Sequence, residues 1–277
     1  RGILYSNRGE FVRLPKVVLL VSAILTILGA LYAQKPFREY PAVEYENFPL
    51  PPDWRESTEF TRARLKCMDI GTRWGPRGYN WTIDYPRSDR HLLAGIRRLT
   101  RIHTRSVEQV VEIDDPAEIY NWPFLYAVEV GHWELSDEQA KRLRDYLLHG
   151  GFLMVDDFHG TREWEIFMSG MSRIFPERPV VDLSNQDPIF HVLYDLDERF
   201  QVPGAQYLYR GRTYEQDGYE AKWRGIYDDN GRLMVAICHN MDLGDAWGWS
   251  DAPRYPEKFA SLAYRIAVNY TIYAMTH

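Results

Sequence analysis

The chain has 277 residues, 45% hydrophobic and 26% charged, with 39 acidic against 33 basic side chains and a net charge of −6. This is a globular composition, long enough for one large or two small domains and for a sizeable core. The acidic balance excludes a nucleic-acid binder working through a basic stripe; two cysteines without a CxxC pair exclude zinc ribbons and covalently attached haem.

In chain order, residues 1–16 carry Arg1, Arg8, Arg13 and Lys16 against Glu10, and residues 17–33 (VVLLVSAILTILGALYA) follow without a charge. This pattern predicts an N-terminal transmembrane helix at the short end of the usual range of about 17–25 residues. A cleaved export signal is the alternative, but the leader is long for one, and Leu31 is a poor small-residue partner for Ala33 at a cleavage site. Basic residues ahead of the span keep the N-terminus in the cytoplasm. The expected location is a bacterial inner membrane, single pass, with the main domain periplasmic and membrane lipid as one partner. Residues 34–57 hold Pro36, Pro41, Pro49, Pro51 and Pro52, a density that favours an extended linker. Between them Tyr40, Tyr45, Phe48 and Trp54 are candidate partner-binding anchors.

The body is expected over residues 58–277. Residues 60–68 (FTRARLKCM) alternate apolar and basic, as a strand with one wet face does. Ser88 or Asp89 can cap a helix over 91–101, with Leu92, Leu93, Ile96 and Leu99 inward. Residues 107–113 and 124–130 read as strands. Ser136 and Gln139 have capping-box spacing ahead of an amphipathic helix with Leu143, Tyr146 and Leu147 on one face. Gly150 and Gly151 end it, and residues 152–155 form a short apolar run suited to a strand buried on both faces. Asp156, Asp157 and His159 follow at once, where an open α/β sheet keeps its ligands.

Residues 163–175 are helical by the spacing of Trp164, Phe167, Met168 and Met171. Residues 180–183 are a short strand, and 188–196 an apolar run containing His191, which reads as a hydrogen-bonded core histidine. Residues 205–218 suggest a hairpin or aromatic loop. Asp229-Asn230-Gly231 turns one run into another, RLMVAICH, which ends in His239, Asn240, Asp242 and Asp245. The last helix spans 256–274, and Asn269 within it is a network partner for a polar loop. Alternating strands and helices predict an α/β fold with a mainly parallel sheet and an antiparallel addition around 205–238. Cys67 and Cys238 fall in strand-like runs and read as buried thiols; a disulfide is the alternative.

The unit RLRDYLLHGGFLMVDDFHG resembles the helix-GG-strand unit of the class I glutamine amidotransferase-like superfamily. With WTIDYPRSDRHL, NWPFLYAVEVGHWELSD, HNMDLGDAW and RIAVNYTIYAMTH, the ordered set is similar to a bacterial domain family of unknown function within that superfamily, over roughly residues 58–277. The resemblance implies a flavodoxin-like three-layer sandwich, common in exported or membrane-linked proteins, and no activity. Enzymes of the superfamily place a cysteine on the turn after the strand equivalent to 152–155; here that turn holds Asp156 and Asp157. Their late His-x-Glu pair is met by His239-Asn240-Met241-Asp242, without the glutamate, and Cys238 lies inside a strand.

Asp156, Asp157, His159, His239, Asp242 and Asp245 are therefore the candidate ligand-binding residues. Adjacent carboxylates with a histidine suit a hard cation or acid–base work; the competing reading is that Asp157 caps the helix before Thr161 and Asp242 folds a turn on its own backbone. His132 either joins this edge or packs on Trp133. No HExxH, Walker, GxGxxG or GxSxG motif occurs. No cofactor, metal or catalytic residue is assigned. The expected function is a non-catalytic, membrane-anchored extracytoplasmic scaffold subunit of a larger membrane complex, a respiratory or photosynthetic assembly being one case. The alternative is an exported hydrolase or carbohydrate-active enzyme, metal-dependent or not, using the Asp156/Asp157/His159 cluster.

Overall fold

The computed structural model describes residues 36–41, 49–67, 69–70 and 79–277. The expected transmembrane segment and the anchors Tyr45 and Phe48 lie outside them. Among the described residues no helix is long and apolar enough to cross a membrane. Pro36–His277 form one compact unit.

Its strands are β1 (Ala63–Lys66), β2 (Gln109–Glu112), β3 (Phe124–Val128), β4 (Phe152–Asp156), β5 (Val181–Asp182), β6 (Lys222–Tyr227) and β7 (Leu233–His239). Its helices are α1 (Arg87–Leu99), α2 (Asp137–Leu148), α3 (Gly160–Ile174), the short α4 (Tyr207–Arg210), α5 (Leu243–Gly248) and α6 (Glu257–Thr276). One seven-stranded sheet runs in the order β2-β1-β3-β4-β7-β6-β5. The first five of that order are parallel, and β6 and β5 extend the sheet antiparallel. The chain is thus α/β with a mostly parallel sheet. The parallel part has the order of doubly wound sheets, which reverse direction between the first and third strands.

Alternation along the central strands builds two cores. Phe124, Tyr126, Val128, Phe152 and Met154 face α1, α5 and α6, with Trp247 fully buried among them. Leu125, Ala127, Leu153 and Val155 face α2 and α3, against Leu143, Leu147, Phe167 and Met171. Each of these large apolar side chains contributes about 1.5–3 kcal/mol by leaving water. The helix-turn-strand unit at the centre forms as its sequence predicts. Ser136 accepts from Gln139 N, and the Gln139 side chain accepts from Ser136 N, closing the capping box. Gly150 takes φ +103°, which a side chain would resist. Asn269, fully buried on α6, bonds Leu193 N and Tyr194 N through Oδ1 and Tyr194 O through Nδ2. Cys67 and Cys238 are free, buried thiols.

Several local expectations fail for physical reasons. Two of the three basic residues here are not wet: Arg62, just before β1, and Arg64 within it are 0% exposed, while Lys66 at its end is half-buried. The two arginines turn under α1 and share Asp89, at 3.0 Å and 2.8 Å. Asp89 is therefore a buried counter-ion inside α1 rather than a cap, and the helix starts at Arg87. Leu99, expected inward, is 44% exposed at the end of that helix. Helix α3 begins at Gly160; its first turn is capped from a distance by Asp217, which accepts from Thr161 N at 2.8 Å, so Asp157 is not the cap. His191 is hydrogen-bonded, to Asn185 O and Asp195, but sits at the surface. Residues 205–218 form α4 and a loop instead of a hairpin.

Candidate functional site at the carboxyl edge of the sheet

The central parallel strands end in the same way. Glu129, Asp157 and Asn240, the residues immediately after β3, β4 and β7, take φ of +55°, +53° and +64°. Asp84, in the turn before α1, takes +61°. A left-handed backbone at a residue with a side chain is uncommon, is tolerated best by Asn and Asp, and clusters at functional sites. The strain is held by cross-links between strand ends: Glu129 N donates to Asp156 O, Asp157 N to Met241 O and Asn240 N to Phe158 O.

The candidate residues then separate into groups. Asp156, 0% exposed, accepts at Oδ2 from Leu243 N and Gly244 N, both at 2.9 Å, and from the Tyr126 hydroxyl at 3.0 Å. The first turn of α5 is thereby tied to the end of β4. Asp242 is the N-cap of α5, accepting from Asp245 N at 2.7 Å, as the turn-forming reading expects. Asp245 accepts from Ala205 N. Glycine at 244 lets this turn approach closely: a Cβ there would stand 2.5 Å from Asp84 Oδ2 and 2.9 Å from the Tyr126 hydroxyl. Asp84, Asp242 and Asp245 bring one carboxylate oxygen each to within 4.8 Å of one another. Three carboxylates at this spacing are an oxygen donor set for a hard divalent cation.

Asp157 and His159 form a neighbouring pair, His159 Nε2 lying 3.2 Å from Asp157 Oδ1 and 3.9 Å from Glu215. Glu163 accepts from His159 N at 2.5 Å and lies 3.6 Å from His132, whose Nδ1 is 2.8 Å from Glu129. His132 thus joins the edge through Glu129 and Glu163. His239 does not join it. It stacks on Phe158 and Trp164, with ring centroids at 4.8 Å and 4.9 Å, and bonds Gly160 O. Of the arm residues, Tyr40 donates its hydroxyl to Glu112 and packs edge-on to Trp81 at 5.4 Å. Trp54 packs on Phe37 at 6.0 Å. Tyr40 therefore lies against the body, whereas the Trp54 contact is within the arm.

A family description, "Domain of unknown function (DUF4159)", matches residues 64–275. The chain belongs to the DUF4159 family. No curated protein matches it. The DUF4159 match spans every strand but the first residue of β1, all six helices except the last residue of α6, and each carboxylate of the edge.

The electrostatics of this DUF4159 edge favour a cation. Burial raises Asp156 to about 7, against the hydrogen bonds that Gly244, Tyr126 and Leu243 supply. Burial also raises Asp157 well above the usual carboxyl range, and the charges of Glu129, Asp84, Glu215 and Asp156 push the same way. Asp242 is raised by burial and by Asp157, Asp245, Asp84 and Asp156. Burial raises Glu129 as well, opposed by its bond to His132. Burial resists a charge on His132, yet Glu129 and Glu163 carry its pKa above the ordinary value. His239, by contrast, is lowered to about 4 by burial and stays neutral. Among the described residues no Lys or Arg forms an ion pair with Asp157, Asp242 or Asp245. Neither thiol is a nucleophile: burial pushes Cys67 up to about 12 and Cys238 well above its ordinary value.

Sequence reading had placed Asp156, Asp157, His159, Asp242 and Asp245 together but missed Asp84, Glu129, Glu163 and Tyr126. The available signal for Asp84 was its place in the turn before a helix that follows an edge-directed strand.

Proposed function

We propose that this chain is a membrane-tethered binding module that has kept the site position of an amidotransferase-like fold and replaced its thiol chemistry with a carboxylate site for a divalent cation. The observation that carries the reading is Asp157, left-handed at the turn after β4 with the carboxylates of Asp84, Asp242 and Asp245 on the same edge. Kinship with the superfamily rests on the helix-GG-strand unit and on the strand order; the tether rests on the uncharged run at residues 17–33 behind a basic leader. In this account the domain sits on the outer face of a bacterial inner membrane, as a scaffold subunit of a larger membrane complex. The cation cross-links the loops after the strands and fixes the surface they present. When bound, it supplies charge compensation and geometry; Asp84, Asp242 and Asp245 would hold it.

The test is the melting temperature of the full chain with Ca²⁺, Mg²⁺ or Mn²⁺. A ligand at 100 times its Kd raises stability by about 2.7 kcal/mol, so a shift is expected with at least one cation and none in Asp242→Asn. Equal melting in all conditions rejects the site. Deleting residues 1–35 should release the chain from membranes and from co-purifying subunits; unchanged co-purification argues against the scaffold role.

A hydrolase is the second reading. It is favoured by one pair, His159 Nε2 at 3.2 Å from Asp157 Oδ1, which has the spacing of a base and its orienting acid. Turnover of ester or glycoside substrates that disappears in Asp157→Asn while cation binding at Asp242 persists would establish it in place of pure binding.

A further inference from the structure

The end of the molecule that carries the last turn of α1 and the end of α6 has a different character from the carboxylate edge. Leu193 is 52% exposed, Leu99 44% and Met275 36%. With Ile102 they line a depression of about 630 Å³ whose rim carries Arg98 and Arg101. Both arginines are exposed, and no ion pair with either occurs among the described residues. The acid at this rim, Glu59, is engaged by His103 N at 2.7 Å. Apolar side chains ringed by unpaired arginines, in a chain of net charge −6, are a local reversal of the overall charge.

The start of the described chain lies beside the same helix end. Phe37 packs on Trp54, and the Arg105 guanidinium lies 5.9 Å from the Phe37 ring. Asp53, next to Trp54, pairs with Arg97 at 2.8 Å and accepts from Ser106 N at 3.0 Å. Arg97 and Arg98 are both in the last turn of α1. The described chain therefore starts, at Pro36 and Phe37, beside the basic-apolar end.

We infer that this face, Leu99, Ile102, Leu193 and Met275 with Arg98 and Arg101, seats on an anionic lipid surface. The apolar side chains enter the headgroup boundary, and the guanidinium groups reach lipid phosphates while their stems stay on apolar surface. Attraction of this kind is screened by salt over about 8 Å at physiological ionic strength. The inference rests on the proposed tether, which holds the face near the bilayer, and it turns the carboxylate edge away from the membrane.

The experiment uses the full chain in vesicles of phosphatidylcholine alone or with phosphatidylglycerol. Buried Cys67 and Cys238 allow an environment-sensitive fluorophore to be placed selectively at Leu193→Cys or, on the carboxylate side, at Tyr219→Cys. Nitroxide lipids should quench the Leu193→Cys label several-fold more than the Tyr219→Cys label, only when phosphatidylglycerol is present. Arg98→Glu with Arg101→Glu, or added salt, should remove at least half of that difference. Equal quenching at both positions, or none at position 193, overturns the inference. Alkaline carbonate extraction of the same vesicles separates the two claims. A chain that resists extraction but is not quenched at position 193 keeps the tether and loses the seating face. One that is quenched and then extracted keeps the face and loses the tether.

Discussion

Arg62 and Arg64 at the start of β1, and Asp156 and Asp157 at the end of β4, are all nearly excluded from solvent, but their surroundings differ. The two arginines share Asp89, Arg64 also bonds Trp81 O and Ile83 O, and the Tyr126 ring lies 3.8 Å from the Arg62 guanidinium. Arg90 pairs with Glu108 alongside. Opposite charges answer one another here, and the cluster locks α1 to the sheet. At the carboxyl edge carboxylates crowd together: Asp157 and Asp242 are pushed up by burial and by their acidic neighbours, and among the described residues no Lys or Arg forms an ion pair with Asp157, Asp242 or Asp245. Opposite charges brought together under α1 do structural work; like charges crowded at the strand ends are what the proposed cation would relieve. Tyr126 joins the two, its ring against Arg62 and its hydroxyl on Asp156.

Substitutions separate the two clusters by size and sign. The largest effect is expected for Asp89→Asn, which leaves two buried guanidinium groups without their carboxylate. Breaking such a pair costs about 3–5 kcal/mol, so urea unfolding should show a loss of that order or no folded protein. A loss under about 1 kcal/mol would dissolve the distinction. Asp157→Asn and Asp242→Asn should behave oppositely at pH 8, leaving stability unchanged or raising it by about 1 kcal/mol, since each removes a crowded charge. Asn suits both places, tolerating the left-handed backbone at 157 and capping a helix at 242. The charge is thus tested without the geometry. Cation affinity should fall at least about a hundredfold in Asp242→Asn, equivalent to about 2.7 kcal/mol and enough to remove the thermal shift.

The pH dependence carries the same contrast. Burial pushes Asp156 up to about 7 in the folded chain, above its ordinary 3.8, and Asp157 and Asp242 are raised well above the ordinary value by burial and their acidic neighbours. A carboxyl raised on folding contributes stability below its unfolded pKa and loses it as pH rises through the folded value. His239 is lowered from 6.5 to about 4, so its contribution is present above 6.5 and lost as pH falls toward 4. Above pH 6.5 the raised acids dominate. Without divalent cations the melting temperature should fall by roughly 3–6 °C between pH 6.5 and 8.5, and calorimetry should find this slope flattened in Asp157→Asn. The smallest effect is expected for Ser136→Ala, which removes a cap whose capping-box hydrogen bonds run to Gln139 and to neither cluster. It should cost about 1 kcal/mol in urea unfolding, with pH slope and cation response unchanged.

How far these features could be read from the chain depended on how local their cause is. The helix from Asp137, the Gly150 turn and β4 are each set by contacts a few residues apart, and all three form where expected. β1 misled because alternation of apolar and basic residues has one signature for a wet face and for a buried ion pair; the deciding residue, Asp89, is 25 positions from Arg64. Asp156, Asp157, Asp242 and Asp245 were visible as strand-end polar residues. Asp84 was not, because a donor set assembled from separate loops depends on the strand order, and no local pattern encodes that order. His239 looked like a member of the edge by position, but the alternation of β7 turns it under α3.

The most direct test of the account is isothermal titration of the full chain at pH 7.5 with Ca²⁺, Mg²⁺ and Mn²⁺, each in two buffers of different ionisation enthalpy. Cation binding to carboxyl groups held partly protonated must release protons. The account predicts binding of at least one of these cations with net proton release, both lost in Asp242→Asn. Absence of binding by all three at millimolar concentration, or binding that Asp242→Asn leaves unchanged, would contradict it.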